Sequence, residues 1–359
     1  MRTALVYHQD YLLHENSPTH PERRERLMYT MDQLQEEGIF ELPQIELHTP
    51  GKATEEQLLR VHSRRYLEEL RDLARREGAA IDREGETIMQ EVTYEQARLA
   101  AGGAIMGGSL VMEGKVPHSF VMARPGGHHA FRDHGHGFCF INNVSTMIRH
   151  LQHEYGLERI LLWDWDAHHF DGTQSIFYDD PGVLAISTHQ DGRTLFPGSG
   201  FPGEVGTGEG EGYTVNVPLP PYTSDTGYLR VVEEIFVPLA ESYDPQLLVI
   251  QAGQDNHFTD PITQLNLTAR GYARMMDTAV EMAGRLCGDR AVAIMGGGYG
   301  IEGGLPYTNL AVIASLAGED TSHIREPANY PMPDPDRNLD QVEGIIRHVR
   351  DIHSRYHSL

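Results

Sequence analysis

Five short apolar runs, each closed by a cluster of histidine, aspartate, glycine or tyrosine, set the strongest limit on how this chain can fold. They fall at 119–123, 160–163, 183–187, 247–252 and 291–295. Each is nearly continuous in apolar character rather than alternating, as in strands covered on both faces by helices. Behind them stand Gly126-Gly127-His128-His129, then Asp164-Trp165-Asp166-Ala167-His168-His169-Phe170-Asp171, then His189, Gly253-Gln254-Asp255 and Gly296-Gly297-Gly298-Tyr299. Ligands bind at the carboxyl ends of the strands in open parallel sheets. Five such ends point to one site on an α/β domain.

Helical patterns lie between the runs. Thr54 and Thr93, each followed three residues later by Gln, read as capping boxes, and Thr268 reads as a further cap. Val342, Ile345, Ile346, Val349 and Ile352 recur at helical spacing, so an amphipathic helix is expected at about 338–357. No repeat or low-complexity linker divides the 359 residues, and one domain spanning 1–359 is expected. A net charge of −23 argues against a nucleic-acid partner, which needs a basic face, but would attract a cationic substrate. No apolar stretch is long enough to span a bilayer, and the N-terminus lacks a basic-then-apolar leader. A cytoplasmic protein without a membrane partner is therefore expected. Two cysteines, Cys139 and Cys287, cannot build a disulfide framework or a four-thiolate metal site.

Asp164, Asp166 and His168 alternate, so on an extended chain they share a face. Two carboxylates and an imidazole so close demand partners, either a cation or further histidines in a buried charge network, and a divalent metal is the favoured reading. Asp255 is the best further ligand. Zinc suits the mixed nitrogen and oxygen donors, with Fe(II), Mn(II) or Co(II) as substitutes. Asp164 and Asp171 are placed to orient His128 and His129, giving two His–Asp pairs beside a metal. Tyr299, after three glycines, reads on its own as a packed ring on a Gly-rich turn, with donation to a developing oxyanion as the functional alternative.

Together these motifs resemble the zinc-dependent histone deacetylase superfamily, which includes acetylpolyamine amidohydrolases and acetoin-utilisation proteins. Arg124 to Ala130, Gly137 to Asn143, Asp164 to Gln174, Ala252 to Asp255 and Gly296 to Tyr299 carry the likeness, in order, over a core of about 17–315. The resemblance implies an arginase-like α/β fold with a mostly parallel sheet of about eight strands. It implies Asp166, His168 and Asp255 as zinc ligands. It pairs His128 with Asp164 and His129 with Asp171, with His129 the main base and acid, and it makes Tyr299 polarise the amide carbonyl. It further implies Phe138 and Phe196 as walls for an acyl-lysine stem, Gly127 as a carbonyl acceptor for substrate and Ile262 at the rim. Arg26 would line an internal acetate channel. Monovalent cations, K+ or Na+, would bind at Asp164, Asp166, His168 and Ser187, and again at Phe177, Asp180 and Val183.

Two departures bear on the pocket. Gly126 stands where the family usually has proline, and Gln254 where an apolar residue is usual. Ile262 takes the place of a glutamate found in a dedicated polyamine deacetylase, which weakens a polyamine reading. The expected activity is removal of acetyl or similar acyl groups from the lysine side chains of a protein or peptide. Acetylated polyamines are the alternative substrate, and a homo-oligomer is compatible with such a fold. An arginase-type ureohydrolase and a non-catalytic acyl-lysine binder are the remaining rivals. Gly198 to Gly203 matches a dinucleotide-binding pattern but has neither the strand nor the helix that pattern needs. His134 and His136 are read simply as lining their loop.

Overall fold

Eight strands form one parallel sheet: β1 (Thr3–Val6), β2 (Ile45–His48), β3 (His118–Val121), β4 (Ile160–Asp164), β5 (Val183–Gln190), β6 (Thr214–Leu219), β7 (Leu247–Ala252) and β8 (Ala291–Met295). The spatial order is β2-β1-β3-β8-β7-β4-β5-β6, with neighbouring strands parallel throughout. The computed structural model describes residues 2–17, 19–76, 78–327 and 330–359. All residues of β3 to β8 are buried, which accounts for the nearly continuous apolar character of β4, β7 and β8 and of the first half of β5. Helices on both faces close the layers. The helix Leu339–His353 packs against edge strand β6, burying Val342, Ile346 and Val349.

Local signals decide where most helices begin. Thr54 and Gln57 form the reciprocal capping box, and Ser63 and Thr268 cap the helices Arg64–Ala74 and Ala269–Leu286. Thr93 is the exception. It lies inside the first turn of the helix Thr93–Met112, whose cap position is Val92, and makes no capping box. Its hydroxyl accepts the Gln90 N–H at 3.0 Å and meets His14 Nδ1 at 2.9 Å, a buried tertiary contact that displaces the local one. Residues 198–203 lie in a loop with no strand before them and no helix after. No helix among the described residues is long and apolar enough to cross a membrane.

Candidate active site

The carboxyl ends of β3, β8, β7 and β4, adjacent in the sheet, deliver the polar clusters to one pocket of about 390 Å³. The fifth cluster stays outside it. His189 lies within β5, where its ring is buried between the Ser187 hydroxyl at 2.8 Å and the Gly200 carbonyl at 2.9 Å. His129, His168, Phe138, Phe196, Ile262 and Tyr299 line the pocket, with Asp82, Glu84 and Glu86 at its mouth.

At the floor, Asp166, His168 and Asp255 are buried with their ligand-type atoms within 4.8 Å of one another. His168 Nδ1 stands 3.1 Å from Asp166 Oδ1 and 3.0 Å from Asp255 Oδ2, so a single imidazole proton is shared between two buried carboxylates. Backbone donors hold the cluster: Asp255 Oδ1 accepts the Ala167 N–H at 2.8 Å, and Asp166 Oδ2 accepts the Gly297 N–H at 2.7 Å. A Cβ at Gly297 would lie 2.1 Å from Asp255 Oδ2, and one at Gly253 would lie 2.3 Å from Asp166 Oδ2. Only glycine lets the two strand ends close around these carboxylates. The donor set of two carboxylates and one imidazole, dry and positively undercompensated, fits a divalent cation.

Beside it, the rings of His128 and His129 lie with centroids 4.0 Å apart, tilted by 51°. His128 Nδ1 donates to Asp164 Oδ2 at 3.0 Å, and His129 Nδ1 donates to Asp171 Oδ1 at 2.7 Å. Despite the same pairing, their surroundings shift the two imidazoles in opposite directions. Burial opposes the charge on His128, but Asp166 and Asp164 outweigh it and raise its pKa to about 9. Burial and the adjacent His128 lower that of His129 to about 3, against the pull of Asp171. The fixed proton on Nδ1 leaves Nε2 of a neutral His129 free to accept another.

Tyr299 closes the pocket opposite Phe138, with their rings 6.0 Å apart and edge-on. Burial pushes its phenol well above the ordinary range, so it remains a donor. Arg26, also buried, donates from Nε to the Gly298 carbonyl at 2.7 Å and from Nη2 to the Gly296 carbonyl at 2.6 Å. The Gly127 carbonyl already accepts the Ala130 N–H at 3.0 Å. Ser187 is paired with Asp164 across β5 and β4. Phe177, Asp180 and Val183 form the turn before β5, where Asp180 Oδ2 takes a short hydrogen bond from Arg149.

Two residues of this site escaped the sequence reading. Asp260 is half-buried and accepts the Tyr299 N–H at 2.7 Å and the Ile262 N–H at 3.0 Å, joining the backbone of Tyr299 to the rim. Its spacing of five from Asp255 was the available signal. His136 Nε2 lies 2.8 Å from Asp171 Oδ2, so that carboxylate serves two imidazoles. Burial opposes its charge, yet His129 and His136 hold the Asp171 carboxyl well below the carboxylate range.

The histone deacetylase domain matches residues 20–315. A probable deacetylase of Archaeoglobus fulgidus is 52% identical over 99% of both chains. A human polyamine deacetylase is 34% identical over 91% of this chain and 50% of its own length. The crystal structure of an HDA15 HD domain superposes with a TM-score of 0.87 at 30% identity, covering 99% of this chain and 95% of that one.

Proposed function

Because the chain belongs to the histone deacetylase family, we propose that it is a zinc-dependent amidohydrolase that removes acetyl or similar small acyl groups from lysine side chains. The observation that carries this reading is the buried Asp166–His168–Asp255 cluster on the floor of a pocket that also holds a neutral His129 and a protonated Tyr299. Zinc held there, with Fe2+ or Co2+ as substitutes, would supply a Lewis acid for the amide carbonyl and lower the pKa of water. His129 takes the proton of the attacking water at Nε2, while Asp171 holds its Nδ1 proton and fixes the ring. His128, held by its hydrogen bond to Asp164, lies beside His129 and would stabilise the negative charge that develops. The Tyr299 phenol donates to the carbonyl oxygen as it becomes an oxyanion. His129 then returns its proton to the leaving amine. Phe138 and Phe196 flank the acyl-lysine stem and exclude water, and Ile262 shapes the rim.

The guanidinium of Arg26 is already committed to two carbonyls, so acetate passing beneath the site would have to share its Nη1, which faces Glu22 at 3.2 Å. Gly127 would have to exchange its partner Ala130 for substrate. K+ or Na+ at Asp164, Asp166, His168 and Ser187 would rest on the strand-end oxygens. At Phe177, Asp180 and Val183 the Arg149 charge leaves the backbone oxygens as the donors. A cytoplasmic location and a homo-oligomeric state belong to the same proposal.

Acetylated polyamines are the second reading, favoured by the mouth carboxylates Asp82, Glu84 and Glu86 and by the polyamine deacetylase relative, and opposed by the neutral Ile262. The test is acetate release by metal-reconstituted protein from an acetyl-lysine peptide, acetylspermidine and acetylputrescine, with Tyr299→Phe as control. Release from the peptide that vanishes in the variant is the expected result. Release from polyamines alone moves the substrate to the second reading. No release from any of them, with zinc bound, sinks the activity and leaves a binding role. Guanidine cleavage by a two-manganese form would instead reveal a ureohydrolase.

A further inference from the structure

We propose that His129, His136 and Asp171 form a second divalent-cation site, which zinc in excess of the first ion enters and which then shuts the enzyme off. The proposal rests on the reading of His129 as the base. His136 is the residue that makes it: the reaction above does not use it, yet its Nε2 meets Asp171 Oδ2 at 2.8 Å while His129 Nδ1 meets Oδ1 of the same carboxylate at 2.7 Å.

The ligand-type atoms of the three residues lie within 4.8 Å of one another. Two imidazoles and a carboxylate are a transition-metal donor set, with at least one position left for water. Tetrahedral zinc with bonds near 2.0–2.1 Å places its ligand atoms roughly 3.3 Å apart, so the two imidazole–carboxylate contacts at 2.7 and 2.8 Å would lengthen and the wider separations, all within 4.8 Å, would close around the ion. The site is reachable too: side-chain exposures are 4% for His129, 18% for His136 and 11% for Asp171. The ring of Phe196 lies 5.1 Å from both imidazoles and forms a common apolar wall. The carboxylates of Glu84 and Asp82 bear on His136 and add negative potential on the approach from the mouth.

Inhibition follows from the tautomer. His129 serves as a base because its proton sits on Nδ1, bound to Asp171, and Nε2 is free. A cation on Nδ1 displaces that hydrogen bond and leaves the ring's proton on Nε2. The nitrogen facing the reaction then has no lone pair to offer.

The experiment is equilibrium dialysis of metal-stripped protein against zinc, with metal analysis and with acetate release from an acetyl-lysine peptide measured in parallel. Native protein is expected to bind two equivalents and to lose at least tenfold in activity as the second enters. His136→Asn is expected to bind one equivalent and to show a ratio of activities at low and high zinc near one. Its retained first equivalent reports that it is folded, and His136→Gln replaces it if that equivalent is lost. Asp166→Ala is expected to keep the second equivalent alone. A single equivalent in native protein, two equivalents in the His136 variants, or undiminished activity with two bound would each overturn the proposal. Two equivalents that depend on His136, in a protein inactive at every zinc load, would uphold the site and instead sink the proposed reaction.

Discussion

Arg26 lies under the ring of Tyr299, its guanidinium carbon 4.9 Å from the ring centroid, while the same guanidinium holds the carbonyls of Gly296 and Gly298. The residue thus supports the phenol from below and fixes the glycine turn that carries it. Glu22 in turn bridges Arg26 and Arg124, with Arg124 Nε at 2.7 Å from Oε1.

Arg26→Lys keeps the charge but presents a point donor in place of a fork. One ammonium cannot span both carbonyls in the guanidinium geometry. The expected result is a loss in kcat on the order of tenfold or more, because small misplacements of a reacting group are costly. Zinc content should stay close to one equivalent in the absence of excess metal. A variant with native kcat would show that the turn holds its shape without this clamp.

Thr87 supports the opposite wall. Its buried hydroxyl accepts the N–H of Phe138 at 2.9 Å, and Phe138 sits at φ 65°, a left-handed conformation uncommon for a bulky side chain. Thr87→Val removes the acceptor while keeping the volume. KM for an acetyl-lysine peptide is expected to rise several-fold with a smaller change in kcat, and Thr87→Ser should restore it. Equal losses in KM and kcat in both variants would point to general loosening of the loop instead.

Gly297→Ala tests the closeness of the carboxylates. A methyl group 2.1 Å from Asp255 Oδ2 and 2.8 Å from Asp166 Oδ2 must push one of them away. Zinc affinity is expected to fall by 10-fold or more, read by competition with a chromogenic chelator. Unchanged affinity would mean that the turn can retreat, and the argument from close approach would fail.

His62 makes a prediction about pH. Its Nε2 accepts the N–H of Asn142 at 2.9 Å and its Nδ1 donates to the Phe131 carbonyl at 2.9 Å, so the neutral ring ties the helix Asn143–Tyr155 to the loop after β3. Burial lowers its pKa to about 4. A histidine lowered on folding gives stability that is complete above its unfolded pKa of about 6.5 and is lost as pH falls through about 4. The stability gap between native protein and His62→Asn should therefore shrink as pH drops from 7.5 to 4.5, by at most about 1.4 kcal/mol per pH unit. Denaturant midpoints at four pH values measure it, and a constant gap would refute the assignment.

The strand ends were legible because burial on both faces leaves an unbroken apolar run, and because glycine must follow where backbone and carboxylate meet. Asp166, His168 and Asp255 come together as expected from their places after β4 and β7. What escaped was pairing across space. His136 looked like loop filler, since nothing local to it names Asp171 as a partner, 35 residues further along the chain (171 − 136). Asp260 resembled any loop aspartate until its carboxylate met the backbone of Tyr299, 39 residues away. Thr93 failed as a cap for the same reason, because His14 competed for its hydroxyl from 79 residues away. Local spacing predicts local partners, and in each case a partner distant in the chain was met instead.

The sheet order has a consequence for how such a molecule comes into being. β3, whose trailing loop bears His128 and His129, is flanked on one side by β1, the first strand made, and on the other by β8, the last. During synthesis β3 emerges with one neighbour already available and waits for the other until Met295 has left the ribosome. The loop with both imidazoles and the turn with Tyr299 can then close against each other only after β8 and the residues behind it have emerged. A nascent chain is thus inert by construction, and fragments cut anywhere before β8 should be without hydrolytic activity however well their remaining strands pair.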